Sequence, residues 1–308
     1  MSSGEAELIQ WLTEETSTLP AEVELGIGDD MAVIRAVSDQ LLITSDMLLD
    51  GVHFDRATHD LAAIGRKAVA CSLSDCAAMA VRPVAATVSV ALPDGWEKED
   101  SKRLYAGIRD ISDRFHCPIV GGDTTSWNQR MAIDVTMLAA PYPGIKPVRR
   151  DGAGVGDALL VTGALGGSLL GRHMTFTPRV EEARRLAEAF GNALHAMMDI
   201  SDGLALDLHR MCRASGVGAV VDRALLESVI SSDAERVSRG DGVEALQHAL
   251  SDGEDYELLI AVDPEAGNRR VEGVDLHRVG GIVETGLSLR SLDGSVAALP
   301  PQGFEHLR

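Results

Sequence analysis

The sequence predicts an α/β (α+β) protein of two domains of nearly equal size, and three observations carry that expectation. Strand-like runs of β-branched residues alternate with amphipathic or alanine-rich stretches along the chain. A Pro-rich stretch, Pro141 to Pro147, interrupts the alternation and places the boundary near residue 145, giving domains 1–145 and 146–308. The 308 residues, 45% of them hydrophobic, suffice for two cores and exclude a disordered chain.

The elements follow in order. Leu8, Ile9, Trp11 and Leu12 recur at helical spacing over residues 5–15. Residues 31–36 and 41–45 read as strands, and the small-residue stretch 60–80 as a long helix. Pro83 opens a β-branched run, 84–92, which reads as a strand. An amphipathic helix over 97–115 precedes strands at 119–120 and 132–139. Past the Pro-rich stretch come a strand at 158–162, a Gly-rich turn, a helix over 180–195 and further alternation.

The net charge of −19 repels nucleic-acid backbones, and the densest basic spots are only Arg149-Arg150 and Arg184-Arg185, so no nucleic-acid partner is expected. Cys71, Cys76, Cys117 and Cys212 form neither CxxC nor zinc spacings; they read as reduced, buried thiols of a cytoplasmic protein. The opening MSSGEAELIQ lacks the basic stretch of a signal peptide. The longest apolar tract, 68–93, is broken by Asp75, Arg82 and Pro83, so no membrane span is expected.

The informative feature is where the aspartates fall. They recur in Gly/Ser/Thr-rich clusters after strand-like runs: Gly28-Asp29-Asp30, Thr44-Ser45-Asp46, Ser74-Asp75, Gly121-Gly122-Asp123 and Asp199-Ile200-Ser201-Asp202. One Asp-Gly pair marks a turn, but five clusters point to a ligand site. Asp75 lies in a helix face of Cys71, Ser72, Ala78 and Met79, where a lone carboxylate needs a cation: Arg82 or a metal. Converging aspartates and hydroxyls are hard oxygen ligands, the set Mg²⁺ takes when it also binds phosphates, and such ions let an acidic protein hold a nucleotide. His53 suits either a packed position or a contact to an acceptor phosphate. No GxxxxGK[ST] loop, GxSxG elbow or HExxH motif occurs, and three Trp and three Tyr give little sugar-stacking surface for a glycosidase.

Together these signatures resemble the thiamine-monophosphate kinase family, of the superfamily that includes aminoimidazole ribonucleotide synthetase. The matching pieces are GIGDD (26–30), TSDMLLDGVHF (44–54), SLSDCAAMA (72–80), GGDTT (121–125), RDGAGVGD (150–157), TGALGGS (162–168), DISDGL (199–204), GEDYELL (253–259) and GFEH (303–306). The resemblance implies a two-domain aminoimidazole ribonucleotide synthetase-like fold. Its N-terminal domain binds ATP and Mg²⁺ and forms a homodimer, and its C-terminal domain closes over nucleotide and acceptor. It implies direct transfer of the ATP γ-phosphoryl group to thiamine monophosphate. It places Asp30, Thr44, Ser45, Asp46, Asp75, Asp123, Asp199 and Asp202 at Mg²⁺-ligand positions. Tyr105, Gly122, Asp123, Arg150 and Ser201 take nucleotide-contact positions, and His53, Glu254 and Phe304 hold the acceptor. No side chain acts as a nucleophile.

Three positions depart from the family's pattern: Asp252 precedes Gly253-Glu254-Asp255, Gly167 stands where aspartate is common, and Ala80 where glycine is common. The alternatives are a superfamily enzyme with another acceptor, such as one like aminoimidazole ribonucleotide synthetase, and a catalytically silent nucleotide-binding dimer.

Overall fold

The computed structural model describes residues 10–14, 19–27 and 31–304. Residues 10–14 are helical; the rest of the helix expected over 5–15, and Asp30, lie outside the described residues. The described chain forms two compact units, one drawn from Met1–Cys76 and Val81–Pro141, the other from Ala77–Ala80 and Tyr142–Arg308.

In the first unit, β1 (Val23–Leu25) pairs antiparallel with β2 (Val33–Ile34). A four-stranded sheet follows in the order β3 (Leu42–Leu49), β6 (Ala132–Pro141), β4 (Val81–Pro93), β5 (Ile119–Trp127). Its pairs are antiparallel except β4 with β5, the strands on either side of helix α2 (Lys98–Arg114). Helix α1 (Leu61–Ala78) is buried on nearly all sides, which its Ala, Ser, Gly and Cys content permits. A Cβ at Gly107 of α2 would lie 1.8 Å from the Ala62 carbonyl oxygen of α1, so the two helices touch through backbone. Gly107→Ala must push them apart. The expected cost is about 1–3 kcal/mol, read as a lower Tm; an unchanged Tm contradicts this packing.

The second unit holds a seven-stranded sheet ordered β13 (Val296–Ala298), β12 (Leu287–Arg290), β9 (Gly218–Asp222), β11 (Leu276–Val283), β7 (Ala158–Thr162), β10 (Glu257–Val262), β8 (Leu194–Ile200). Its helices are α3 (Arg172–Thr175), α4 (Val180–Phe190), α5 (Leu204–Ser215), α6 (Arg223–Leu226), α7 (Ser232–Asp241) and α8 (Ala245–Ser251). Leu159, Val161, Met198, Ile200, Leu208 and Met211 sit in its core.

Three elements differ from the sequence expectation. The helix expected over 180–195 ends at Phe190, because Gly191 turns to φ +55 and Leu194 onward pairs with β10. Strand β3 runs on past Ser45 to Leu49 because β6 pairs with all of it. Likewise β5 continues to Trp127 alongside β4. Two acidic clusters expected at strand ends therefore lie inside strands. Among the described residues, no helix is long and apolar enough to cross a membrane.

Candidate functional site

In the first unit, β3 turns alternate side chains to opposite faces of the sheet. Thr44 and Asp46 point to α1: Ser72 Oγ donates to Asp46 Oδ2 (2.6 Å), and Thr44 Oγ1 donates to Asp75 Oδ2. Ser72 and Asp75, three residues apart, share one face of α1. Burial first, then the neighbouring Asp75 carboxylate, pushes Asp46 up to about 6, against the Ser72 hydrogen bond. Arg82, the alternative cation for Asp75, lies 3.9 Å from Glu22 instead.

Two neighbouring carboxylates, one of them desolvated, beside two hydroxyls form a set that a hard divalent cation would relieve. Mg²⁺ commonly takes one or two protein carboxylates and completes its shell with water and substrate phosphates, so the pair fits that ion. No cluster of three or more His, Cys, Asp or Glu side chains that could hold a metal occurs among the described residues.

Ser45 and Asp123 are not part of this group. Ser45 Oγ donates to Asp134 Oδ1 (3.1 Å) and meets Thr136 Oγ1 at the same distance. Across the sheet Asp46 aligns with Val135, Val88 and Gly122, whereas Asp123 aligns with Ser89, Asp134 and Met47. Adjacent rows face opposite ways, so the sheet separates Asp123 from Asp46 and Asp75. A Cβ at Gly122 would lie 1.9 Å from the Val88 carbonyl oxygen, so a side chain there has no room.

His53 closes the turn after β3. Its Nδ1 accepts from the Leu49 N–H (3.0 Å), and its carbonyl accepts from Lys67 Nζ (2.5 Å), a fully buried lysine of α1. With Nδ1 an acceptor, the proton of the neutral ring belongs on Nε2, which is thereby a donor suited to an anionic oxygen. Tyr105 on α2 packs edge-on to Trp11, with ring centroids 5.3 Å apart.

In the second unit, Asp199 ends buried on β8, opposite Leu258, and Ser201-Asp202-Gly203 leads into α5. Buried Asp207, pushed up to about 6 by desolvation, accepts from the Ser201 N–H (3.1 Å) and Asp202 N–H (2.9 Å). Arg210 Nη1 binds both Asp207 (2.7 Å) and Asp202 (2.5 Å), so Asp202 already carries a guanidinium. Around this loop gather two acceptor candidates: the Glu254 N–H donates to Ser201 O (2.7 Å) and the Phe304 N–H to Asp202 O (2.9 Å). Phe304 is 45% exposed. Arg150 is exposed; its carbonyl accepts from Ser215 Oγ (3.0 Å).

The departures from the family pattern have local explanations. Gly167 takes φ +69, and a Cβ there would lie 2.4 Å from the backbone of Asp233 and Ala234, leaving no room for aspartate. The Asp252 carboxylate comes to that turn instead, accepting from the Gly167 N–H (2.8 Å). Ala80 holds φ +51, a conformation that glycine adopts without strain. Sequence reasoning missed Asp134, Lys67, Asp207, His173 and Arg172. A lysine inside the apolar stretch 61–80 was a readable signal; the lone aspartate of β6 offered none.

The chain matches the model of the AIR synthase related protein N-terminal domain over residues 28–140, and that of the C-terminal domain over residues 152–286. It is 40% identical to the thiamine-monophosphate kinase of Rhodopirellula baltica, over 98% of this chain and 97% of that one. The solved structure of AaThiL complexed with AMPPCP and TMP superposes with a TM-score of 0.76 at 28% identity, covering 100% of this chain and 99% of the other. Escherichia coli HypE, a hydrogenase maturation protein, gives 0.79 at 20% identity over 98% of each chain, a likeness of fold alone. The chain belongs to the thiamine-monophosphate kinase family, built on the two-domain AIR synthase related fold.

Proposed function

We propose that this chain transfers the γ-phosphoryl group of ATP directly to thiamine monophosphate, giving thiamine diphosphate and ADP, with Mg²⁺ as the metal. The observation that carries the reading is the crowding of Asp46 and Asp75 beside Thr44 and Ser72, on a chain of this family.

Phosphoryl transfer between two polyanions needs in-line positioning and charge neutralisation rather than covalent chemistry. Bound Mg²⁺ would supply the neutralising charge on the triphosphate. Asp46 and Asp75 would hold it, with Thr44 and Ser72 keeping both carboxylates aimed. His53 contacts the acceptor phosphate, and Lys67 fixes the turn that carries it. Glu254 matches the positive charge of the thiazolium, and the Phe304 ring offers it a stacking face. Tyr105, Gly122, Arg150 and Ser201 are the nucleotide contacts, and Asp30 and Asp199 keep the metal-ligand roles that the family resemblance implies, whereas Asp202 is paired with Arg210.

Ser45 and Asp123 act on the sheet face turned from α1. Ile43 (75% exposed) and Met47 (61%) lie on that face, which supports its burial against a second copy in a homodimer. The four cysteines, all buried and none in a disulfide, suit a cytoplasmic enzyme.

Purified chain incubated with ATP, Mg²⁺ and thiamine monophosphate is expected to yield thiamine diphosphate by chromatography, and none when Mg²⁺ is chelated. ATP binding without that product would point to another acceptor.

A further inference from the structure

The loop carrying Glu254 is gripped by a second segment, 168–179, almost residue against residue. Ser168 Oγ donates to the Glu254 carbonyl (2.7 Å), and His173 Nδ1 lies 2.8 Å from Glu254 Oε2. Arg172 Nη2 donates to Asp255 Oδ1 (2.7 Å), while its other contacts go to the carbonyls of Ala164 (2.6 Å) and Gly166 (3.0 Å). The Phe176 ring stacks on Tyr256 at 4.0 Å and 11°, and Arg179 closes the row on Glu257 (2.6 and 2.8 Å).

The grip has a physical reason. Glu254 (φ +64) and Tyr256 (φ +52) both hold left-handed backbone, a conformation that costs a non-glycine residue free energy and persists only where its surroundings impose it. This backbone sets where the Cα–Cβ bond of Glu254 points and leaves its carboxylate to be placed by side-chain contacts. His173 is itself buried, with a side chain only 6% exposed, and it reaches the one carboxylate of the loop that the acceptor reading uses.

We propose that His173 is a positioning residue for the acceptor: it fixes one oxygen of Glu254, so that the carboxylate is preorganised before the positively charged ring of the substrate arrives. The inference rests on the assignment of Glu254 to thiamine monophosphate. His173 belongs to none of the motifs that carry the family resemblance, and it does not itself touch the reacting atoms. A carboxylate held in this way loses less freedom on binding, so the effect belongs to acceptor affinity and not to ATP.

The test is calorimetric binding of thiamine monophosphate to wild type, His173→Ala, His173→Asn, Glu254→Gln and the double variant His173→Ala/Glu254→Gln, with the KM for ATP measured alongside. His173→Ala is expected to weaken acceptor binding about tenfold and leave the KM for ATP within about twofold, with energies coupled as for contacting groups. His173→Asn, whose side-chain amide can stand in for Nδ1, is expected to recover most of that loss. In the Glu254→Gln background, His173→Ala should weaken binding little further. Unchanged acceptor affinity in a folded His173→Ala protein overturns the proposal. So do equal losses for ATP and acceptor, losses that add in the double variant, or Asn performing no better than Ala. Wild type that binds thiamine monophosphate without phosphorylating it would overturn the kinase reading and leave the His173 comparison intact. Wild type that does not bind it overturns both.

Discussion

Asp46→Asn is expected to give a protein more stable than wild type without metal and nearly inactive with it. Asp46 is desolvated and faces a second carboxylate, an arrangement that opposes folding until a cation arrives. An amide keeps the shape and can still accept from Ser72, so removing the charge should raise metal-free stability by about 1–2 kcal/mol. The same change removes a hard, charged ligand from the Mg²⁺–triphosphate, and kcat at saturating substrates should fall on the order of 100-fold or more. Melting in a chelator and steady-state turnover separate the two effects. A parallel fall in Tm and activity would mark Asp46 as structural.

Arg179→Ala should produce the largest loss of stability. Glu257 is buried at the start of β10, and desolvation raises it above the ordinary glutamate range even with Arg179 in place. Arg179 meets it through two hydrogen bonds, while Thr162 Oγ1 donates the third (2.7 Å). Truncating the arginine leaves a buried carboxylate with one hydrogen-bond donor, Thr162, and only the more distant charge of Arg172, at an expected cost of about 3–5 kcal/mol. An acid whose folded pKa lies above its unfolded one is stabilising below the unfolded value and loses that contribution as pH rises through the folded one. The defect should therefore be greatest at neutral pH and shrink as pH falls toward about 4.3 and Glu257 takes up a proton. Adding Glu257→Gln should restore part of the loss at neutral pH. A pH-independent defect would mean that the arginine acts through packing alone.

Much of this was legible in the sequence, and what was not has identifiable causes. A run of small residues marked α1, amphipathic spacing marked α2, and runs of β-branched and apolar residues marked β4, β6 and β7. Such patterns missed the end of α4, where Leu194 to Ile200 suits a buried strand as well as a helix and only pairing with β10 decides. That Asp75 needs a partner was legible because it is an acid inside a small-residue helix; that Thr44 and the neighbouring Asp46 meet it there was not. The split between Asp46 and Asp123 was not, because it depends on strand register: one position decides which face of the sheet a side chain meets. His173 and Arg172 were invisible for a related reason. Their partners lie some 80 residues away, and no spacing rule connects segments that meet only through tertiary folding.

Direct transfer between two phosphates is tested in one measurement with γ-labelled ATP. With Mg²⁺ and thiamine monophosphate, the label is predicted to appear in thiamine diphosphate at the same rate as ADP forms. Label released as inorganic phosphate, while thiamine monophosphate stays unchanged, would contradict it and assign the ATP chemistry to a different acceptor.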